Sequence, residues 1–441
     1  MSYSKDNLAW LGTIPDHWQV SKLRQVLSPF SEKNYPDMPL LSVVREKGVI
    51  IRNVESKEEN HNYVPDDLSN YKLVKQGQFT MNKMKAWQGS YGVSKYEGIV
   101  SPAYFVFNFK CDINRDFFNA AIRSKAYVSY FGQASDGIRV GQWDLSMARM
   151  KDIPFLVPPR EEQDQIVRFL DWKVSGINKL IAVKQKQIAI LKEFMQAEIE
   201  EQLYAYPVVS VVRLKQLGTF FKGGGFSRDN LVEDEDYPAI LYGDIYTQYE
   251  YKTSIITHHI DGNAYSTSRK ISKGDIVMAG TGETKDEIGK SILYMGEQIV
   301  AVGGDVIVFH PNEGTNVEYL LYQLYSQAAL KHRYINGKGD IIVHIYPTAL
   351  GNTIITLPGE ADQNKAVARI NEIIDQVNKA ITVLTDEISV LREYRVRLVA
   401  DTVTGKIDVR GIEIPEYEFV DEDADADNED DGEEDTEEQE D

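Results

Sequence analysis

Residues 161–203 read EEQDQIVRFLDWKVSGINKLIAVKQKQIAILKEFMQAEIEEQL, and residues 360–404 read EADQNKAVARINEIIDQVNKAITVLTDEISVLREYRVRLVADTVT. In the second stretch apolar residues fall at Val367, Ile370, Ile374, Val377, Ile381, Leu384, Ile388 and Leu391. Steps of three and four in strict alternation mark the narrow seam of a coiled coil. The first stretch repeats the pattern at Val167, Leu170, Val174, Ile177, Ile181, Ile188, Leu191 and Met195, with Lys184 interrupting one position. Pro158 and Pro159 precede the first stretch, and Gly359 and Gly405 bracket the second, as helix punctuation does. A helix of this length is about 65 Å long, which suits a spacer or scaffold.

The two stretches superimpose at an offset of 200 residues. Asn178-Lys179 matches Asn378-Lys379, Ile181 matches Ile381, Ile188 matches Ile388, Leu191 matches Leu391, and Gln163 matches Gln363. The segments before them repeat as well. Lys75-Gln76-Gly77-Gln78-Phe79 resembles Ser272-Lys273-Gly274-Asp275-Ile276, and Ile99-Val100 ahead of Phe105-Val106-Phe107 resembles Ile299-Val300 ahead of Ile307-Val308-Phe309. Short β-branched and aromatic runs between Gly, Asn and Asp predict strands. One further helix is expected in each copy, at about 116–131 and 316–333. The chain is therefore a duplicated half. Its expected class is α+β, with two mixed α/β domains at 1–153 and 207–353, long helices within 154–206 and 354–410, and an acidic tail, 411–441, expected to be disordered.

With 441 residues and 42% apolar content, the chain has material for several cores. Its single cysteine, Cys111, excludes a disulfide framework and fits a reducing compartment. No run approaches the ~18 apolar residues of a membrane span, and the N-terminus lacks a secretory pattern, so a cytoplasmic protein with no membrane partner is expected. The net charge of −20 is concentrated at one end: residues 421–441 hold 15 carboxylates and no Lys or Arg. Residues 1–150 carry 19 basic and 15 acidic side chains, residues 208–353 carry 13 and 17, and any basic footprint must be local.

Enzymatic chemistry is hard to find. Gly282 to Gly289-Lys290-Ser291 has six residues between its glycines where a phosphate loop needs four, and a strand-like Ile292-Leu293-Tyr294 follows, so a hairpin turn is the better reading. His258 and His259 are strand neighbours that point to opposite faces, which is wrong for one metal. No catalytic or metal-ligating residue is assigned. What stands out is residues 72–96, KLVKQGQFTMNKMKAWQGSYGVSKY, with five lysines and no acid. Lysines neutralise phosphates and amides read adenine edges, which makes Lys72, Lys75, Lys83, Lys85, Gln88, Tyr91 and Lys95 candidates for DNA contact. A solvated loop around a local aromatic core is the competing reading. The second copy offers a scattered equivalent: Lys222, Arg228, Arg269, Lys270, Lys285, His332, Arg333 and Lys338. Among these, Gln88, Tyr91, Arg228 and Arg333 are the candidates for base-edge or groove contact.

Four motifs carry a family resemblance. Trp10-Leu-Gly-Thr-Ile-Pro15-Asp-His-Trp18 with Leu23 resembles the opening of a specificity (S) subunit of a type I restriction–modification enzyme. Pro158-Pro159-Arg-Glu-Glu162-Gln163-Asp-Gln-Ile166-Val-Arg-Phe169-Leu170-Asp171 is similar to the entry of that family's first conserved helix, and Gly98-Ile-Val-Ser-Pro102-Ala-Tyr104 and Gly243-Asp244-Ile245 resemble motifs of its target-recognition domains. The second helix entry departs from the pattern, with Pro358-Gly359 for Pro-Pro, Asp362 for Glu and Ala366 for Ile, and the tail lies outside it. The resemblance, over residues 8–410, implies a non-catalytic subunit whose two domains each read half of a split, asymmetric site in double-stranded DNA. It also implies that the two helices pack antiparallel through Val174, Ile177, Ile181, Ile188 and Leu191 on one and Ile374, Val377, Ile381, Leu384, Ile388 and Leu391 on the other. Two methyltransferase subunits using S-adenosylmethionine would dock there, and a translocase–nuclease using ATP and magnesium would join them, leaving this chain without a cofactor. The alternatives are a coiled-coil scaffold with protein-binding domains, or a solitary DNA-modifying enzyme.

Overall fold

The computed structural model describes residues 8, 10–11, 14–45, 47–52, 65, 67–135, 145–232, 237–339 and 341–421. The long helices span Arg160–Tyr204 and Glu360–Val403. Each opens in the same way. The side-chain amide of Gln163 donates to the carbonyl of Pro158 at 2.9 Å, and that of Gln363 donates to Pro358 at 2.9 Å. Asp362 and Gln363 bond back to the carbonyl of Gly359 as Glu162 and Gln163 do to Pro159, so the substitution of Gly for Pro leaves the first turn intact.

Each domain hangs from its helix through a strand. Pro154–Val157 pairs antiparallel with Gln19–Lys22, and Ile354–Pro358 pairs antiparallel with Val208–Arg213. The central sheet of the first domain has the order Leu27–Phe30, Tyr104–Phe109, Phe79–Asn82, Tyr91–Val93. The second domain repeats that order with Gly218–Lys222, Val306–Pro311, Ile276–Ala279 and Ser291–Tyr294, then adds Lys252–Thr253 at the edge. A further four-stranded sheet in the second domain carries His258–His259, Pro238–Ile240, Val300–Val302 and Arg269–Ile271. The strands at 276–279 and 291–294 are buried throughout, which accounts for the apolar runs Ile276–Ala279 and Ile292–Tyr294.

The helix expected after the sheet in each copy is two helices. They are Arg115–Ile122 with Lys125–Ala134, and Val317–Leu324 with Gln327–Asn336. Ser124 and Ser326 stand at the breaks as N-caps in extended conformation, and the Ser326 hydroxyl accepts from the backbone of Ala329. A serine that competes for backbone groups starts a new helix more readily than it continues an old one. Asn114 and Asn316 cap the first helix of each pair, and both also reach the long helix, Asn114 to Gln163 and Asp164, Asn316 to Asn364.

The chain forms two compact units, and their boundary cuts both long helices. One unit comprises residues 1–185 and 385–441, the other residues 186–384. In the first unit the side chains of Arg395 and Asn178 bond at 2.7 Å, and Lys184 pairs with Glu387 at 2.5 Å. Numbers rising on one helix while falling on the other show antiparallel packing. In the second unit Leu191, Met195, Ile199 and Leu203 share a core with Ile370, Ile373, Ile374, Val377 and Ile381. Of the seam residues, Ile177, Ile181, Ile374, Val377 and Ile388 are buried, and Val174, Ile188, Leu191, Ile381, Leu384 and Leu391 are partly buried.

The acidic tail begins later than expected. Residues 411–420 lie along the first long helix, where Gln165 donates its amide to the carbonyls of Val409 and Ile412. Ser175 donates to the carbonyl of Glu418 and accepts from the N–H of Val420, whose own carbonyl accepts from Asn178. Ser175 and Asn178 are buried polar groups on the helix, and the extended segment satisfies them. The expected tail's remainder, 422–441, lies outside the described residues. No helix among the described residues is long and apolar enough to cross a membrane.

Candidate nucleic-acid interface

The acid-free stretch of the first domain folds into strands Lys72–Val74, Phe79–Asn82 and Tyr91–Val93 and the loop between the last two. Lys72 donates to the carbonyl of Tyr104 at 2.6 Å. Burial, and then the nearby charges of Lys33 and Lys83, hold its ammonium below the usual lysine range, so three cations crowd one place. Lys75 pairs with Glu32 at 3.2 Å and lies over the ring of Phe30. Lys83, Lys85 and Gln88 are partly exposed on the loop, and Lys95 is exposed, near Asp171 of the first long helix.

Tyr91 corrects the sequence reading. Its ring is fully buried, 4.8 Å from Phe131 and 6.0 Å from Phe79, and burial pushes its phenol far above the usual range. A side chain closed inside the sheet-helix core has no face to offer DNA. Arg333 is the second correction. It is buried, donates to the carbonyl of Leu324 at 2.7 Å, and its guanidinium pKa is lowered by desolvation. It ties two helices of the second domain together. His332 is likewise engaged internally, 2.9 Å from the carbonyl of Ala349.

The other cations of the second domain form two groups. Lys222 pairs with Asp305, Arg269 lies over Phe221, and Lys270 lies over Tyr265 while donating to the carbonyl of Ser268. Lys338 and Lys285 stand on the loops beyond the helix Gln327–Asn336 and the strand Ile276–Ala279, and Arg228 is exposed on a short turn. The Gly282–Gly289 segment is a turn between strands, since Thr281–Gly282 pairs with Val343–His344 and the strand Ser291–Tyr294 follows. His258 lies 2.9 Å from Asp244, and no three His, Cys, Asp or Glu side chains among the described residues are grouped to hold a metal.

The two domains thus share one scaffold and differ in the charges on it. Residues 15–199 and 208–390 each match the type I restriction modification DNA specificity domain. The chain belongs to that family.

Its tandem specificity domains are DNA-recognition domains of a type I restriction–modification system. A search of curated proteins finds no match. Among solved structures, the specificity chain is similar to a chain from a study of complex assembly and conformational transition of the type I R-M system. It is 14% identical to it, with 90% of this chain and all of that one covered at a TM-score of 0.62. It is also similar to the HsdS subunit from Thermoanaerobacter tengcongensis, at 15% identity and a TM-score of 0.45, with 89% of this chain and 98% of that one covered.

Sequence reasoning missed the contacts by which each specificity domain holds its helix, Asn114 and Asn316 above all. An asparagine ahead of a helical run is a cap signal. That it also grips a second helix is visible only in three dimensions.

Proposed function

We propose that this chain is the non-catalytic DNA-reading subunit of a cytoplasmic type I restriction–modification complex. Each domain reads one half of a split, asymmetric site, while partner subunits bind S-adenosylmethionine, ATP and magnesium and perform methylation and translocation. One observation carries the reading. The scaffold is repeated down to single hydrogen bonds at the helix entries, whereas the side chains on the two domains differ. Repeated scaffolds suit two similar tasks, and unlike surfaces suit two different half-sites.

The helices supply a docking face for two methyltransferase subunits. Val183, Ile190 and Phe194 are exposed on the first long helix, and Val383, Val390 and Tyr394, each 200 residues later, are exposed on the second. These positions lie on a different helical face from the seam. Large apolar side chains left in water on a helix favour a protein partner. Modification mapping of genomic DNA with and without this chain tests the whole reading. Adenine methylation at one bipartite sequence should depend on the chain; methylation by the purified chain alone would make it an enzyme, and enrichment of no sequence would make it a scaffold.

Lys83 and Lys85 are assigned to phosphates. Lys83→Ala and Lys85→Ala should weaken binding to every duplex alike and flatten the salt slope by about one each. A changed sequence preference in either variant, read by selection from a random library, would contradict this role.

The terminal acids are assigned to competition with non-target DNA. Truncation after Asp421 keeps the segment docked on Ser175 and Asn178 and removes 14 carboxylates. Binding to random duplex at low salt should tighten, because non-specific affinity is almost wholly electrostatic. Cognate binding at high salt should stay level. Equal affinities of both chains across a salt series would leave the acids no such role.

A further inference from the structure

The rim that carries Lys83 and Lys85 is built twice. In the first domain the N–H of Leu145 donates to the carbonyl of Lys83 at 3.2 Å; in the second, the N–H of Ile345, 200 residues later, donates to the carbonyl of Gly280 at 2.9 Å. Each rim carries large apolar side chains turned to solvent, beside Lys83 in the first domain and ahead of Ile345, on the other side of the hydrogen bond, in the second. Met84 is 56% exposed, Ile341 89% and Ile342 55%.

Neither tip is slack. The side-chain oxygen of Asn82 accepts from the N–H of Met84 at 3.1 Å, and the carbonyl of Met84 accepts the indole N–H of Trp87 at 3.1 Å. At the other tip Lys338 and His344 exchange both backbone hydrogen bonds, at 2.9 and 2.8 Å, and the buried Val343 pairs with Gly282. Gly339 has a φ of +114°, and a Cβ there would lie 1.9 Å from the carbonyl oxygen of Ile342. Only glycine closes this turn without a clash. An isoleucine on a fixed tip, left almost wholly in water, contributes nothing to its own domain's core.

Lysines stand beside each tip. Lys83 and Lys85 flank Met84 in a stretch of 25 residues without an acid, and Lys331 and Lys338 lie near Ile341 in sequence, Arg333 between them being turned into the core. The turn next to Ile341 carries Glu283, Asp286 and Glu287 with Lys285, so the second tip, unlike the first, has no net positive charge around it. Exposed apolar tips with lysines beside them match a duplex, whose base stack is apolar and whose margins are phosphate.

We propose that Met84 and the Ile341–Ile342 pair are wedges, each inserted at a base step of its own half-site and partly unstacking it. The proposal rests on the DNA-recognition reading above and adds a constraint to it. Each half-site should contain or adjoin an easily unstacked step, such as a pyrimidine–purine step, and discrimination there should arise from deformability.

The test uses the full chain and duplexes of the sequence recovered by modification mapping, with 2-aminopurine placed at successive positions. Wild-type chain should raise the fluorescence severalfold at one step in each half-site. Met84→Ala should abolish the rise in one half-site only, and Ile341→Ala with Ile342→Ala in the other only, each with about tenfold weaker binding. Thermal midpoints should not move, because the side chains are exposed. Tight binding by the wild type with no rise at any position would overturn the wedges and leave the DNA-recognition reading standing, as would variants that keep the rise. Failure to prefer any sequence would overturn that reading and the wedges with it. Loss of methyltransferase association in the variants, with the rise retained, would make the tips protein contacts.

Discussion

Replacing Ile388 with aspartate should cost the specificity chain roughly 4 kcal/mol or more, from the lost burial of isoleucine and the burial of an unpaired carboxylate. Ile388 is buried in the seam of the first unit, and Val390, two residues on, is exposed, as is Tyr394 further along the helix. Val390→Asp therefore serves as the control, with an expected change within about 0.5 kcal/mol. Denaturant unfolding of the two variants, followed by helical circular dichroism, separates them. Equal midpoints would mean that the helices do not pair through the periodic seam. The expected loss should be local at first, because Ile388 belongs to the unit of residues 1–185 and 385–441 and the shared core of residues 186–384 does not include it.

Exchange of residues 1–153 for the equivalent domain of a related subunit should replace one half-site of the recognised sequence and leave the other unchanged. The joint across which the exchange is made is specific. It includes the strand pair Gln19–Lys22 with Pro154–Val157, the packing of Phe155 on Phe117, Phe118 and Tyr127, the grip of Asn114 on Gln163 and Asp164, the contact of His17 with Glu162 at 2.7 Å, and the packing of Pro15 and Trp18 around Gly405. A donor domain that keeps the cap asparagine and the Pro–Asp–His–Trp run should seat on the same helix. Modification mapping of the hybrid gives the answer directly. A change in both half-sites, or in neither, would show that the domains do not read independently.

Much of this architecture was legible without coordinates, and the reason is that its signals are local. A three-four apolar alternation needs only the helix's own period, and a repeat at 200 residues needs only comparison of the chain with itself. The helix entries, the seam and the strand runs at 276–279 and 291–294 follow from such patterns. Two mistakes came from the same locality. Tyr91 sits in a basic, amide-rich stretch that reads as solvent-facing, yet Phe131, 40 residues away, covers its ring. Arg333 reads as a surface cation, yet it turns inward to the carbonyl of Leu324, where no neighbouring residue of its own helix signals the partner.

The terminal segment makes the same point with the opposite sign. Composition marks residues 411–441 as one acidic run, but the structure divides it at the last groups that the helix can bond. Gln165, Ser175 and Asn178 lie more than 240 residues earlier in the chain, and they hold residues 409–420 through backbone groups that carry no side-chain identity. Sequence by itself therefore determined the duplicated plan and the family, because period and repetition are written in side chains. The tertiary structure decided which side chains are inside, where the tail begins and which apolar tips stand in water, because burial depends on residues brought together from distant parts of the chain.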